Sequence, residues 1–167
     1  MSAMRILVLC TGNSCRSILA EVLFNELGQG RVTAYSAGSN PAGAVNPGAI
    51  ARLQQEGHST AGLGSKSWDQ FTGPDAPAID VVVTVCDNAA GETCPVWNAK
   101  PVTVHWGIPD PADASAEQSE VAFDLAYRQL RSRIEQVFEL PLESLDIRYR
   151  KDALQRIHDA ATTQSEA

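Results

Sequence analysis

The fold of this chain is decided near its N-terminus by the stretch Arg5-Ile6-Leu7-Val8-Leu9-Cys10-Thr11-Gly12-Asn13-Ser14-Cys15-Arg16-Ser17. The part before the first cysteine is apolar on both faces, which is typical of a buried strand in a parallel sheet. From Arg16 to Leu27, apolar residues recur at helical spacing. The stretch therefore predicts a strand, a short polar turn and a helix in direct succession.

We call residues 10–17 the oxyanion loop, because their composition suits a tetrahedral anion. Backbone N–H groups of such a turn and of the helix N-terminus converge on one point. Arg16 adds a planar fork of donors, and Cys10 in this positive field should ionise easily and act as a nucleophile. We expect the anion to be bound by Thr11, Gly12, Asn13, Ser14, Cys15, Arg16 and Ser17. The alternative, that Cys10 is a small buried core residue, leaves this polar cluster unexplained.

Size and charge limit the classes of function. A chain of 167 residues fits one domain with a proper core. Its net charge of −7 argues against nucleic acid or an anionic membrane as a partner. The local field of the oxyanion loop, rather than the charge of the whole protein, must then capture an anion.

The first residues and the cysteine usage suggest a compartment. Residues 1–5 lack the features of a signal peptide, and no apolar stretch approaches the roughly 20 residues that cross a bilayer. We therefore expect a cytoplasmic protein. In that compartment the four cysteines are expected to be catalytic, redox-active or metal-binding rather than structural disulfides.

Strand and helix patterns alternate along the rest of the chain. Strands are predicted at 5–10, 31–37, 79–85 and 102–106, and helices at 16–27, 47–56, 117–139 and, more weakly, after Pro141. This order predicts a three-layer α/β/α fold around a mostly parallel, four-stranded sheet. We divide the chain into a domain at 1–140 and a C-terminal helical extension with a polar tail at 141–167.

Three candidate functional residues follow the ends of predicted strands. Cys10, Cys86 and Asp110 should therefore meet at one rim of the sheet, where parallel α/β proteins bind ligands. Asp110 can act as a general acid for an oxygen that leaves the attacked anion. It is equally well explained as a turn residue, because Asp-Pro pairs often begin turns.

Two further cysteines have uses that the sequence leaves open. Cys86 and Cys94 are separated by seven mostly small or polar residues, and such a loop can bring the two sulfurs together or apart, as a thiol relay requires. Two unrelated buried thiols or a zinc pair are the alternatives. Cys15 is expected to pack into the sheet, with a disulfide to Cys10 as the other possibility.

Taken together, three motifs resemble one family. The octapeptide C-T-G-N-S-C-R-S, the later C-x7-C-P and the segment H-W-G-x-x-D-P are similar to an arsenate reductase of the low-molecular-weight phosphotyrosine-phosphatase superfamily, from about Met4 to Phe138. The resemblance implies that Cys10 attacks arsenate, Arg16 clamps it and Asp110 is the general acid. It also implies that Cys86 and then Cys94 carry the disulfide outward, in a thiol relay that serves arsenic detoxification.

The resemblance also bears on partners and ions. It implies an external reductant, thioredoxin or else glutathione with glutaredoxin, and no bound cofactor. Some relatives bind potassium beside the loop, and Glu21 and Ser36 match two of its ligands. Where a further carboxylate is expected, this chain has Ser65-Lys66-Ser67-Trp68, and an ammonium group is unfavourable near a cation. We therefore expect no bound metal ion.

Two other functions compete with this interpretation. A low-molecular-weight protein tyrosine phosphatase uses the same loop and aspartate but has no use for Cys86 and Cys94. A non-catalytic arsenite sensor could use the cysteines as ligands, but a sensor needs an output module such as a basic helix-turn-helix, and no basic face is visible in this acidic chain.

Overall fold

A four-stranded parallel sheet lies at the centre of the protein. The structure, a computed structural model, describes residues 3–85, 101–111 and 114–166. The strands are β1 (Met4–Leu9), β2 (Val32–Ala37), β3 (Val81–Thr84) and β4 (Val102–His105). All three strand pairs are parallel, as the apolar runs predicted.

Helices follow the strands as the spacing predicted. They are α1 (Arg16–Gly28), α2 (Pro47–Gln55), α3 (Ser119–Phe138) and α4 (Ile147–Glu166), and a 3-10 helix spans Trp68–Phe71. Asn46 caps α2 by accepting a hydrogen bond from the backbone N–H of Gly48, and Pro47 occupies the first turn, where its missing N–H costs nothing.

The strand order is β2-β1-β3-β4. After β1 the chain adds β2 on one side and later returns to place β3 on the other side, so the direction of winding switches at β1. Loops that leave the carboxyl ends of strands at such a switch diverge and leave a crevice between them. The oxyanion loop follows β1 and lies at this crevice.

Side chains of β1 alternate between two apolar cores. Ile6 and Val8 face the larger core, which also holds buried residues of all four α-helices. Leu7 and Leu9 face a second core that includes Phe71 of the 3-10 helix and Val82 of β3. This two-sided burial of the sheet agrees with the predicted three-layer α/β/α arrangement.

The end of α1 differs from the prediction. The spacing predicted a helix over 16–27, but Gly28 also lies within α1, and the left-handed residue that ends the helix is Gln29, with φ of 47°. The reason is tertiary packing: a Cβ on Gly28 would lie 2.9 Å from side-chain atoms of both Phe138 and Val32. Glycine is needed here for close approach rather than for its conformational freedom.

The final helix packs against the edge of the sheet. Gln155 of α4 makes two hydrogen bonds to the backbone of His105, accepting from its N–H at 3.0 Å and donating to its carbonyl at 2.9 Å. The indole N–H of the fully buried Trp106 donates to the carbonyl of Leu154. Helix α4 thus satisfies backbone groups of an edge strand that would otherwise be open to pairing.

No helix in the described parts of the chain is long and apolar enough to cross a membrane.

Candidate active site

The oxyanion loop is shaped by hydrogen bonds that its carbonyl groups accept from outside. The carbonyls of Thr11, Gly12 and Ser14 accept bonds from the backbone N–H groups of Asn40, Ala42 and Asn46, each at 2.9 Å. In a planar trans peptide the N–H points opposite to the carbonyl, and no described peptide bond is cis. The N–H groups that follow these carbonyls therefore face the centre of the loop, as an anion site requires.

Asn13 gives the loop its sharp turn. It has φ of 47°, a left-handed conformation that asparagine tolerates better than most residues, and it is fully buried. Its amide nitrogen donates to the Ser17 hydroxyl at 2.8 Å, and its amide oxygen accepts from the backbone N–H of Lys66 at 2.7 Å. These two bonds hold a strained turn in place from both sides.

Gly38, just after β2, is packed directly against the loop. A Cβ at this position would lie 2.4 Å from the carbonyl oxygen of Thr11 and 2.8 Å from that of Cys10. The backbone N–H of Gly38 also donates a hydrogen bond to the carbonyl of Lys66, and its carbonyl accepts one from the N–H of Trp68. Only glycine lets the segment after β2 support the loop so closely.

Arg16 connects the nucleophile candidate with the acid candidate. Its Nη2 lies 3.5 Å from Cys10 Sγ and 3.3 Å from Asp110 Oδ2, and its Nη1 donates to the carbonyl of Ile108 at 2.9 Å. The predicted meeting of Cys10 and Asp110 at one rim is therefore confirmed. The Asp110 carboxylate pairs with a guanidinium that is largely buried.

One atom of Arg16 suggests where an anion belongs. Its Nε is buried and donates to no acceptor among the described residues. A buried N–H without a partner is unfavourable. A tetrahedral oxyanion in the centre of the loop would provide that acceptor.

Cys15 packs inward, as expected, and lies in the larger core. Burial raises the pKa of its thiol, and this effect outweighs the opposing hydrogen bond from Ser14. Cys10 and Cys15 form no disulfide with each other. Cys15 is therefore suited to packing rather than to nucleophilic attack at neutral pH.

A second polar cluster lies behind the loop. The Ser36 hydroxyl donates to Glu21 Oε1 at 2.9 Å, and Lys66 Nζ lies 3.8 Å from the same oxygen. Lys66 Nζ also donates to the carbonyl of Gly64 at 2.8 Å. Potassium does not fit this donor set, because an ammonium group already faces the Glu21 carboxylate that would bind it.

The structure supports part of the predicted site and adds residues that the sequence did not indicate. Cys86 and Cys94 lie outside the described residues; Val85, which precedes Cys86, donates its N–H to the carbonyl of Leu9. The sequence did not indicate that Gly38 and Ser65 support the loop; the Ser65 hydroxyl donates to the carbonyl of Gly12. No local motif marks them, because their contacts with the loop are distant in sequence.

Nowhere in the described ranges do three His, Cys, Asp or Glu side chains cluster to hold a metal.

Known proteins resemble this chain over most of its length. An arsenate reductase of Halalkalibacterium halodurans is 38% identical over 115 residues, which cover 69% of this chain and 79% of that protein. A solved arsenate reductase in a phosphate-binding state is 26% identical, with a TM-score of 0.59 over 78% of this chain and 96% of the other. A thioredoxin-dependent arsenate reductase of Corynebacterium glutamicum, 22% identical, shares the fold, with a TM-score of 0.55 over 80% of this chain and 63% of that one.

A family profile agrees with these pairwise similarities. The profile described as low molecular weight phosphotyrosine protein phosphatase matches residues 5–150, which include all of β1 except its first residue, the oxyanion loop and Asp110. The chain therefore belongs to the low molecular weight phosphotyrosine protein phosphatase family.

Proposed function

We propose that this protein is an arsenate reductase that converts arsenate to arsenite. The observation that carries the proposal is the position of Arg16, with one nitrogen near both Cys10 Sγ and Asp110 Oδ2 in a loop built for a tetrahedral oxyanion. Arsenate has the shape and charge of phosphate. The similarity to arsenate reductases over two thirds of the chain favours arsenic as the central atom.

The first step uses Cys10, Arg16 and Asp110. The loop N–H groups and Arg16 hold the arsenate oxygens, and the Cys10 thiolate forms a bond to arsenic. One arsenate oxygen departs as water, with a proton supplied by Asp110. The product is a thiol–arsenate adduct in which arsenic is still in its higher oxidation state.

The later steps use Cys86 and Cys94, whose roles rest on the family resemblance. The Cys86 thiolate attacks Cys10 Sγ, the sulfur–arsenic bond breaks, and its electron pair stays on arsenic, which leaves as arsenite. A Cys10–Cys86 disulfide forms in the same step. Cys94 then attacks the Cys86 sulfur, which returns Cys10 as a thiolate and leaves a Cys86–Cys94 disulfide.

We propose that the electrons come from an external dithiol protein in the cytoplasm and that the enzyme holds no cofactor of its own. The C. glutamicum neighbour is thioredoxin-dependent, which favours thioredoxin over glutathione with glutaredoxin. The acidic chain makes nucleic acid and membranes unsuitable partners.

The deciding experiment is multiple-turnover oxidation of NADPH that depends on arsenate. One reaction contains thioredoxin and its reductase, and a matched reaction contains glutathione, glutaredoxin and glutathione reductase. Arsenate-dependent turnover with thioredoxin is the expected result. A chain that instead hydrolyses aryl phosphates steadily and oxidises no NADPH with either system is a phosphatase, and the proposal is then wrong.

A further inference from the structure

We propose that the ammonium group of Lys66 is a built-in cation that supports the oxyanion loop and makes the enzyme independent of monovalent cations. Lys66 is on this view a positioning residue, which acts through Glu21 and Asn13 and does not touch the substrate. The proposal rests on the proposed function only for its rate measurements, because oxyanion binding tests it separately.

A carboxylate lies behind the anion site. Glu21 lies one helical turn beyond Ser17 on α1, and its side chain is only 14% exposed. A poorly solvated negative charge at this position opposes both a thiolate on Cys10 and an oxyanion in the loop. A positive charge must therefore offset that of Glu21 if the loop is to bind an anion and hold a thiolate on Cys10.

Lys66 is the cation that the structure places there. Its Nζ lies 3.8 Å from Glu21 Oε1 and is held by the carbonyl of Gly64 at 2.8 Å. The Ser36 hydroxyl, which is fully buried, donates to the same carboxylate oxygen. The carboxylate and the carbonyl around this one positive charge are oxygen donors that a hard monovalent cation would also use.

The same residue also supports the loop through its backbone. The N–H of Lys66 donates to the amide oxygen of Asn13, whose other end holds Ser17. The neighbouring Ser65 hydroxyl donates to the carbonyl of Gly12. Because Glu21 and Gly64 hold the ammonium group of Lys66, the backbone of Lys66 stays close to the loop. The same residue therefore supplies the positive charge and fixes the position of its segment.

The test compares four variants in KCl and in tetramethylammonium chloride at equal ionic strength. Lys66→Met removes the charge and keeps the length, Lys66→Ala also opens space for an ion, and Lys66→Arg keeps the charge. Lys151→Ala is the matched control, because Lys151 is exposed on α4. Circular dichroism and thermal unfolding check that each variant is folded.

The first readout is protection of Cys10 from iodoacetamide by sulfate, followed by peptide fragmentation to distinguish Cys10 from Cys15. In the tetramethylammonium salt we expect Lys66→Met and Lys66→Ala to need about tenfold more sulfate than wild type, the order expected for one unit charge acting across a few layers of atoms. Lys66→Arg and Lys151→Ala should match wild type. Potassium should restore protection in Lys66→Ala, and adding Glu21→Gln to that variant should abolish the rescue.

The second readout is arsenate reduction. The loss in Lys66→Ala should appear in KM more than in kcat, because the charge acts on substrate and transition state alike, and potassium should reverse it. Wild type should respond equally to both salts.

Three results would overturn the proposal: stimulation of wild type by potassium, unchanged sulfate protection in both Lys66→Met and Lys66→Ala, or a defect in Lys66→Ala that potassium does not restore. If arsenate is not reduced at all, the sulfate measurement still decides the role of Lys66, so the two proposals fail separately.

Discussion

Arg16 Nη2 and Asp110 Oδ2 lie 3.3 Å apart, and the pair joins the loop after β1 to the loop after β4. The same nitrogen lies 3.5 Å from Cys10 Sγ. An oxyanion in the loop would compete with Asp110 for this guanidinium. The ion pair therefore keeps Arg16 oriented and at the same time opposes anion binding.

Replacing Asp110 with Asn should separate these two effects. Turnover of arsenate should fall by about 10²–10⁴-fold, because the amide cannot deliver an acidic proton to the departing oxygen. Affinity for sulfate should rise, since a competing negative charge near Arg16 is gone. Steady-state rates over a range of pH and sulfate protection of Cys10 measure the two effects. Equal rates for variant and wild type, where the first chemical step limits, would show that Asp110 has no role in proton delivery.

Replacing Cys94 with Ser should allow one turnover and block the next. Cys86 can still release arsenite, but the Cys10–Cys86 disulfide then has no resolving thiol. Rapid-quench measurement of arsenite should show a burst of roughly one equivalent per enzyme, followed by a stop. Steady turnover with thioredoxin in this variant would contradict the order of the relay.

Replacing Gly38 with Ala should distort the backbone of the oxyanion loop. The new Cβ would meet the carbonyl oxygens of Thr11 and Cys10, which are backbone atoms and cannot move without changing the loop. We expect the free energy of unfolding to fall by roughly 1–3 kcal/mol. Sulfate protection of Cys10 should fall by a larger fraction than the free energy of unfolding does. Gly73→Ala is the matched control, because a Cβ there meets nothing within 4 Å. Similar behaviour of the two variants would show that the loop does not depend on this contact.

The two described cysteines should differ sharply in reactivity. Burial raises the pKa of Cys15, so at neutral pH it stays a protonated and poorly nucleophilic thiol. In a Cys86→Ser, Cys94→Ser background, iodoacetamide at pH 7 should label one equivalent, on Cys10. Adding Cys10→Ser should abolish labelling of the folded protein, and the same single change in the full chain should abolish turnover. Rapid labelling of Cys15 under native conditions would contradict this assignment.

By itself the sequence was sufficient for the elements of this fold and for the position of the oxyanion loop between β1 and α1. Apolar runs and helical spacing are local signals, so β1 to β4 and α1 to α3 could be located within a few residues. The placement of Cys10 and Arg16 around a polar turn is also local. Asp110 could be placed at the same rim because parallel strands end at one edge of a sheet.

Only the tertiary structure decided what supports that loop. Gly38, Ser65 and Lys66 contact it across 25 to 53 positions of sequence. No local motif shows that they support the loop, and the segment from Ser65 was singled out only through the family resemblance. Gly28 shows the same limit: local spacing predicted a helix that ends at Leu27, and only the structure shows that Gly28 belongs to α1 and lies against Phe138. Local spacing determines which backbone conformations are favoured, whereas the contacts that hold a catalytic turn in place depend on how distant segments pack, and that became visible only once the sheet order β2-β1-β3-β4 was known.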